Sequence, residues 1–162
     1  ENHLHKILEK DFMIEGFEIK IINKSISGDT TADGLARLEE SLKIKDIDLI
    51  ILGLGANDML RGIDTSIIKQ NLEEIIQRIQ NKNIEILLTG MVATTSRGIS
   101  YKKKFDQIYE ELSKEYKLNY MPFLLKGVAL KPEYNQPDGI HPNFEGLKII
   151  SKNLKKSIIS IM

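Results

Sequence analysis

The 162 residues carry 23 Lys+Arg against 23 Asp+Glu, a formal net charge of zero, with 41% hydrophobic residues, 28% charged residues and no cysteine. This balance excludes disulfides and thiolate chemistry, and it offers no block of like charge on which nucleic acid or an anionic membrane surface could rest. The length suits a single domain, residues 1–162, with a sizeable core, and the longest apolar runs are too short to cross a bilayer.

In chain order, "FEIKIINKS" (17–25) reads as a first strand, followed by a helix from about Thr31 to Lys43 carrying Leu35, Leu38 and Leu42. "IDLIILGLG" (47–55) is a second strand. The helix after it runs from about Thr65 to Asn81, with Ile68, Leu72, Ile75, Ile76 and Ile79 on one side and Asp64 as N-cap. "IEILLTGM" (84–91) and "LNYMPF" (118–123) are further strands, separated by a helix marked by Phe105, Ile108, Tyr109, Leu112 and Tyr116. The last helix places Phe144, Leu147, Ile150, Leu154, Ile158 and Ile161 at helical spacing behind an Asn143 cap. The second and third strands are apolar enough to be buried on both faces, as in a parallel sheet. Strict alternation of strand and helix predicts an α/β fold, a three-layer α/β/α sandwich built from right-handed crossovers.

In such sheets chemistry gathers beyond the C-terminal ends of the strands, where this sequence carries "SISGDT", "GANDML" and "DGIHP". In "PDGIHPN" (137–143), Asp138 stands three residues before His141 in a turn made by glycine and closed by proline, a spacing that can orient an imidazole as a base. Gly28 makes a turn in which Asp29 or Thr30 caps the following helix, and its backbone N–H could also face a developing oxyanion. Asn57 either satisfies loop backbone with Asp58 or presents its carboxamide as a second oxyanion donor. "GLGAND" lacks the third glycine of a dinucleotide-binding loop and its next helix starts several residues late, which leaves a nucleotide-binding flavodoxin-like domain as the weakest alternative. His3 and His5, two apart on a helix, point apart and read as solvated helix-start residues, not metal ligands.

"SISGDTTADGLARL", "LGANDMLRG" and "LKPEYNQPDGIHPN" resemble the second, third and fifth conserved blocks of the SGNH (GDSL-type) hydrolases, closest to the bacterial thioesterase I, lysophospholipase and arylesterase group. The similarity runs through essentially the whole chain in the family's order. It implies a flavodoxin-like sandwich and hydrolysis of acyl esters or thioesters through an acyl-serine, with no metal or organic cofactor. By the same resemblance Gly28 and Asn57 match the oxyanion donors, His141 the general base and Asp138 the residue that orients it. Met59, Leu60 and Met91 stand beside strand ends where an acyl chain could lie, although ordinary core or loop packing explains them equally well.

The family's first block, a Gly-Asp-Ser stretch that supplies the nucleophile, does not occur in these residues, and no G-x-S-x-G elbow replaces it. "ENHLHKILEKDF" (1–12) looks like the helix that follows that block. The resemblance therefore places a strand and its turn, roughly ten to twenty residues, upstream of Glu1. Ser25 and Ser27 precede the donor loop, and Ser96 and Ser100 lie in a polar loop; none has the setting of a nucleophile. The family's missing strand lies mid-sheet, so upstream sequence or a second copy is expected to complement it. The alternative of another class is a catalytically inactive ligand-binding module on the same fold. The resemblance suggests a periplasmic or secreted protein without fixing the compartment.

Overall fold

The computed structural model describes residues 3–162, so Glu1 and Asn2 of the expected N-terminal helix lie outside the described residues. The elements are α1 (Leu4–Ile14), α2 (Thr31–Ala36), α3 (Leu38–Ser41), β1 (Leu49–Leu52), α4 (Ala56–Arg61), α5 (Thr65–Gln80), β2 (Glu85–Thr89), α6 (Ile99–Glu115), β3 (Asn119–Met121) and α7 (Phe144–Ile159). Two compact units are formed, one by the segment up to Asn23 together with Leu124–Met162, the other by Lys24–Phe123.

The unit of residues 24–123 is built on a parallel sheet in the order β1-β2-β3, with Leu49 opposite Glu85 and Leu87 opposite Asn119. Each strand is short and introduced by a residue in the left-handed region: Asp46 (φ 58°), Asn83 (φ 56°) and Lys117 (φ 53°). Such residues end the preceding helix or turn and release the chain into extended backbone. α5 and α6 pack on the sheet and on each other. Their Ile68, Leu72, Ile75, Ile76 and Ile79, and Phe105, Ile108, Tyr109 and Leu112, join Leu52, Ile86 and Leu88 in one core. The helical period and the Asp64 cap, whose side chain accepts from Ser66 N–H, are as expected from the sequence.

In the other unit α1 packs against α7. Leu8 and Phe12 of α1 and Ile150, Leu154 and Ile158 of α7 are buried. A polar bond crosses the pair, from the Ser151 hydroxyl to Asp11 Oδ2 at 2.6 Å. α7 begins at Asn143, whose Oδ1 accepts from Gly146 N–H at 3.0 Å as expected, while its Nδ2 donates to the Glu133 carbonyl at 2.9 Å.

Three expectations fail. Residues 17–25 form no strand among the described residues. A strand needs a neighbour for its N–H and C=O groups, and this segment finds local partners instead: Phe17 N–H donates to the Phe12 carbonyl and Ile21 N–H to Glu9 Oε1 at 2.8 Å. The helix expected from Thr31 to Lys43 breaks at Arg37 into α2 and α3. "GANDML" is not a loop, because α4 starts directly behind Gly55. Gly55 has φ 111° and sits against the buried Tyr109 hydroxyl, where a Cβ would come within 2.1 Å, so only glycine fits.

Candidate active site

Within the first unit, the turn of residues 135–142 is held by its own backbone. Gln136 N–H donates to the His141 carbonyl at 2.7 Å, Gly139 N–H to the Gln136 carbonyl at 2.9 Å, and Asn135 and Pro142 form an antiparallel bridge. Gly139, at φ 69°, makes the reversal. Asn135, buried at 8% exposure, anchors the turn by donating from Nδ2 to the carbonyls of Val128 and Lys131 at 2.8 and 2.7 Å.

The Asp138 carboxylate does two things at once. Its Oδ1 accepts from the backbone N–H groups of Ile140 and His141 at 2.9 and 3.0 Å, and its Oδ2 lies 2.7 Å from His141 Nδ1. The hydrogen bond from the His141 side chain, then those from the two backbone N–H groups, hold the Asp138 carboxyl down at about 2. An ionised carboxylate only accepts, so Nδ1 donates to it, and in a neutral imidazole the lone pair is then on Nε2. No hydrogen bond engages Nε2 among the described residues, and the His141 side chain is 62% exposed. The pair is thus an imidazole with one nitrogen fixed and the other open to take a proton.

This geometry has a measurable consequence. A carboxyl whose folded value is depressed favours the folded turn at pH above the ordinary carboxylate value near 3.9, and that contribution is lost as pH falls toward 2. The ¹³C titration of the Asp138 carboxyl is expected to have its midpoint near 2 in the native chain, and to move up toward the ordinary value in His141→Ala. A midpoint near 4 in the native chain would mean that the pair is not formed in solution.

Within the second unit, Gly28 (φ 89°) turns the chain into Thr30, the N-cap of α2, whose hydroxyl and backbone form a capping box with Asp33. Asn57, in the first turn of α4, donates from Nδ2 to the Asp29 carbonyl at 2.8 Å. A carbonyl accepts only, so the amide nitrogen faces this loop, and its second N–H has no partner among the described residues. The Gly28 N–H is likewise without an acceptor there. Gly28, in its turn, and Asn57, in the first turn of α4, thus lie on two bonded segments, each with a donor unused among the described residues.

The side chains of Asp58, Thr31, Asn71, Arg37 and Arg61 hold these segments. Asp58, fully buried, accepts from Thr31 N–H at 2.8 Å and from the Thr31 hydroxyl at 2.6 Å, and Asn71 Nδ2 donates to that hydroxyl oxygen at 3.0 Å. Arg37 pairs with Asp29 at 2.7 Å, and Arg61 donates to the Gly28 carbonyl at 2.8 Å. An acid directly after Asn57, in the first turn of a short helix, was the available signal for Asp58; nothing in the spacing pointed to Thr31. Of the three residues considered for acyl contact, Met59 belongs to the core, Met91 packs against it and Leu60 is 46% exposed. His3 stands ahead of α1 in extended backbone, which lets its ring stack on that of His5 at 5.7 Å instead of diverging from it. Among the described residues no cluster of three His, Cys, Asp or Glu could hold a metal ion.

Residues 4–149 match the GDSL-like lipase/acylhydrolase family. The chain belongs to that family. It is 35% identical over 150 residues to an arylesterase of Vibrio mimicus, covering 92% of this chain and 75% of that protein. It is 38% identical over 138 residues to the thioesterase 1/protease 1/lysophospholipase L1 of Escherichia coli K12, covering 85% of this chain and 66% of that protein. Among solved structures it is similar to TesA, with a TM-score of 0.93 at 31% identity over 99% of this chain and 89% of that one. Esterase EstA from Pseudoalteromonas sp., solved in a form inhibited by monoethylphosphonate, gives 0.93 at 28% identity over 99% of this chain and 87% of its own. These likenesses agree with the three-layer α/β/α class read from the sequence.

Proposed function

We propose that this family member is a serine acyl hydrolase acting on acyl esters or thioesters, with its nucleophilic serine supplied by sequence outside these 162 residues. The observation that carries the reading is the Asp138–His141 pair, which engages Nδ1 and leaves Nε2 without a hydrogen-bond partner among the described residues. In the proposed reaction Nε2 takes the serine proton as Oγ bonds to the acyl carbon. The resulting oxyanion accepts from Gly28 N–H and the free Asn57 N–H. Collapse breaks the bond to the alcohol or thiol, which leaves with the proton from Nε2. Water, deprotonated by the same nitrogen, then releases the acid and restores the serine. Asp138 stabilises the imidazolium at each proton transfer. Leu60, with Met59 and Met91 on the core side, is assigned to acyl contact.

Among the described residues β1 is paired on one side only, by β2, and it carries Ile51 at 38% exposure. The proposal includes a strand on that open edge, from the sequence that brings the serine or from a second copy, because an unpaired strand edge leaves main-chain donors and acceptors without partners. A fluorophosphonate probe tests the reading. The 162 residues alone are expected to remain unlabelled, and protein expressed with the sequence upstream of Glu1 is expected to be labelled at one serine in that added segment. Labelling at Ser25, Ser27, Ser96 or Ser100 would move the nucleophile into this chain. Cooperative folding of the extended protein without any labelling would instead favour a ligand-binding module.

A further inference from the structure

Among the described residues, Asp46, Asn83, Lys117 and Leu130 are the non-glycine residues in the left-handed region. The first three introduce the strands. Leu130, at φ 62°, is the apolar one, and it is 90% exposed. In that region Cβ crowds the following carbonyl oxygen, and an exposed leucine contributes no burial in return. Glycine would meet the geometry of this turn without strain, so the leucine points to a task outside the fold.

Leu130 borders a cleft of about 480 Å³ that lies wholly within the first unit, lined by residues 130–132, 135–137 and 139. Leu130, Pro132 and Pro137 are its apolar side chains. Its polar side chains are engaged elsewhere: Asn135 Nδ2 donates to the carbonyls of Val128 and Lys131, and Gln136 Nε2 to the Pro142 carbonyl at 3.1 Å. The Lys131 ammonium lies 5.4 Å from the centre of the Tyr134 ring. No carboxylate is among the described residues that line the cleft. The walls are stiff, because the two prolines fix φ and the Asn135–Pro142 bridge closes the loop. Gln136 joins this wall to the turn of the proposed base, since its backbone N–H donates to the His141 carbonyl at 2.7 Å. Gly139, on the wall, and the half-exposed Ile140 lead directly to His141.

A preformed apolar cleft on the same rigid turn as a base is a setting suited to a small apolar ligand. In the proposed reaction Nε2 gives its proton to the departing alcohol or thiol, so that group must come within hydrogen-bond reach of His141. We propose that the Leu130 cleft holds the apolar alkyl or aryl part of the leaving alcohol or thiol. Its place in the reaction rests on the acyl-hydrolase reading, and the binding of an apolar alcohol rests on the cleft alone.

The binding test needs no turnover. The 162-residue protein is titrated with 1-hexanol, and with glycerol as a polar control, while backbone amides are followed by NMR. Saturable shifts at Lys131, Gln136 and Gly139 are expected with 1-hexanol and not with glycerol, and Leu130→Gly should bind 1-hexanol about tenfold more weakly. The same variant is expected to keep or raise the urea midpoint, because glycine relieves the turn; a lowered midpoint would return Leu130 to the fold. The reaction test uses the extended protein with ethyl acetate, hexyl acetate and ethyl hexanoate. Leu130→Gly is expected to lower the ratio of kcat/KM for hexyl acetate over ethyl acetate about tenfold, with the ratio for ethyl hexanoate over ethyl acetate constant to within about twofold. No saturable shift at the cleft, or undiminished affinity in Leu130→Gly, would overturn the site. Any other pattern of the two ratios would overturn its assignment to the leaving group. Absence of serine labelling in the extended protein would remove the hydrolase reading and leave the titration to stand or fall by itself.

Discussion

His141→Ala, made in protein that carries the serine, is expected to lower kcat/KM for a short-chain ester or thioester by on the order of 10⁴ or more, with little change in stability. The size follows from the role proposed for the residue. Without a base at Nε2 the serine hydroxyl is a poor nucleophile at neutral pH, and the leaving group has no proton donor. Stability is spared because the imidazole is mostly exposed and its ring makes a single hydrogen bond, to Asp138. Asp138→Asn is expected to cost on the order of 10³ to 10⁴, because an amide at that position can donate to Nδ1 and so favour the wrong tautomer. Steady-state kinetics beside a urea melt checks both variants. Activity within tenfold of the parent for His141→Ala would remove this residue from the reaction.

Asp58→Ala is expected to be among the most destabilising single changes in the unit of residues 24–123, at about 2–5 kcal/mol. The buried carboxylate satisfies both the backbone N–H and the hydroxyl of Thr31, and the hydroxyl oxygen in turn accepts from Asn71. Truncation orphans two buried donors, each worth about 1–3 kcal/mol when left without a partner. Against a total of roughly 5–15 kcal/mol for a domain, that is a large share. The same bonds tie Thr31, three residues after Gly28, to the residue after Asn57, so any activity lost in a still-folded Asp58→Asn variant should appear in kcat more than in KM. The check is the urea midpoint at constant slope. A shift smaller than about 0.5 kcal/mol would mean that the clamp carries no weight.

How far the sequence could be read depended on how local each determinant is. α5, α6 and α7 follow from helical spacing, and two of the three from caps as well, Asp64 and Asn143, because amphipathic period and capping are properties of neighbouring residues. Residues 17–25 misled because strand propensity describes a segment, whereas a ladder requires a partner that propensity cannot name. α4 was hidden by its shortness, although the glycines at both ends, Gly55 and Gly62, mark it in retrospect. At the site, the Asp138–His141 spacing was legible because both residues share one turn. The Asp58–Thr31 clamp was not, since 27 residues separate its members.

The proposal that Gly28, Asn57 and His141 serve one acyl-serine is tested most directly by a crystal structure of the extended protein after phosphonylation of its serine. The account predicts a phosphonyl oxygen about 2.7–3.1 Å from both Gly28 N and Asn57 Nδ2, with His141 Nε2 within hydrogen-bond reach of the serine Oγ. An adduct whose oxygen is held by other donors, with His141 turned away from the modified serine, would contradict it.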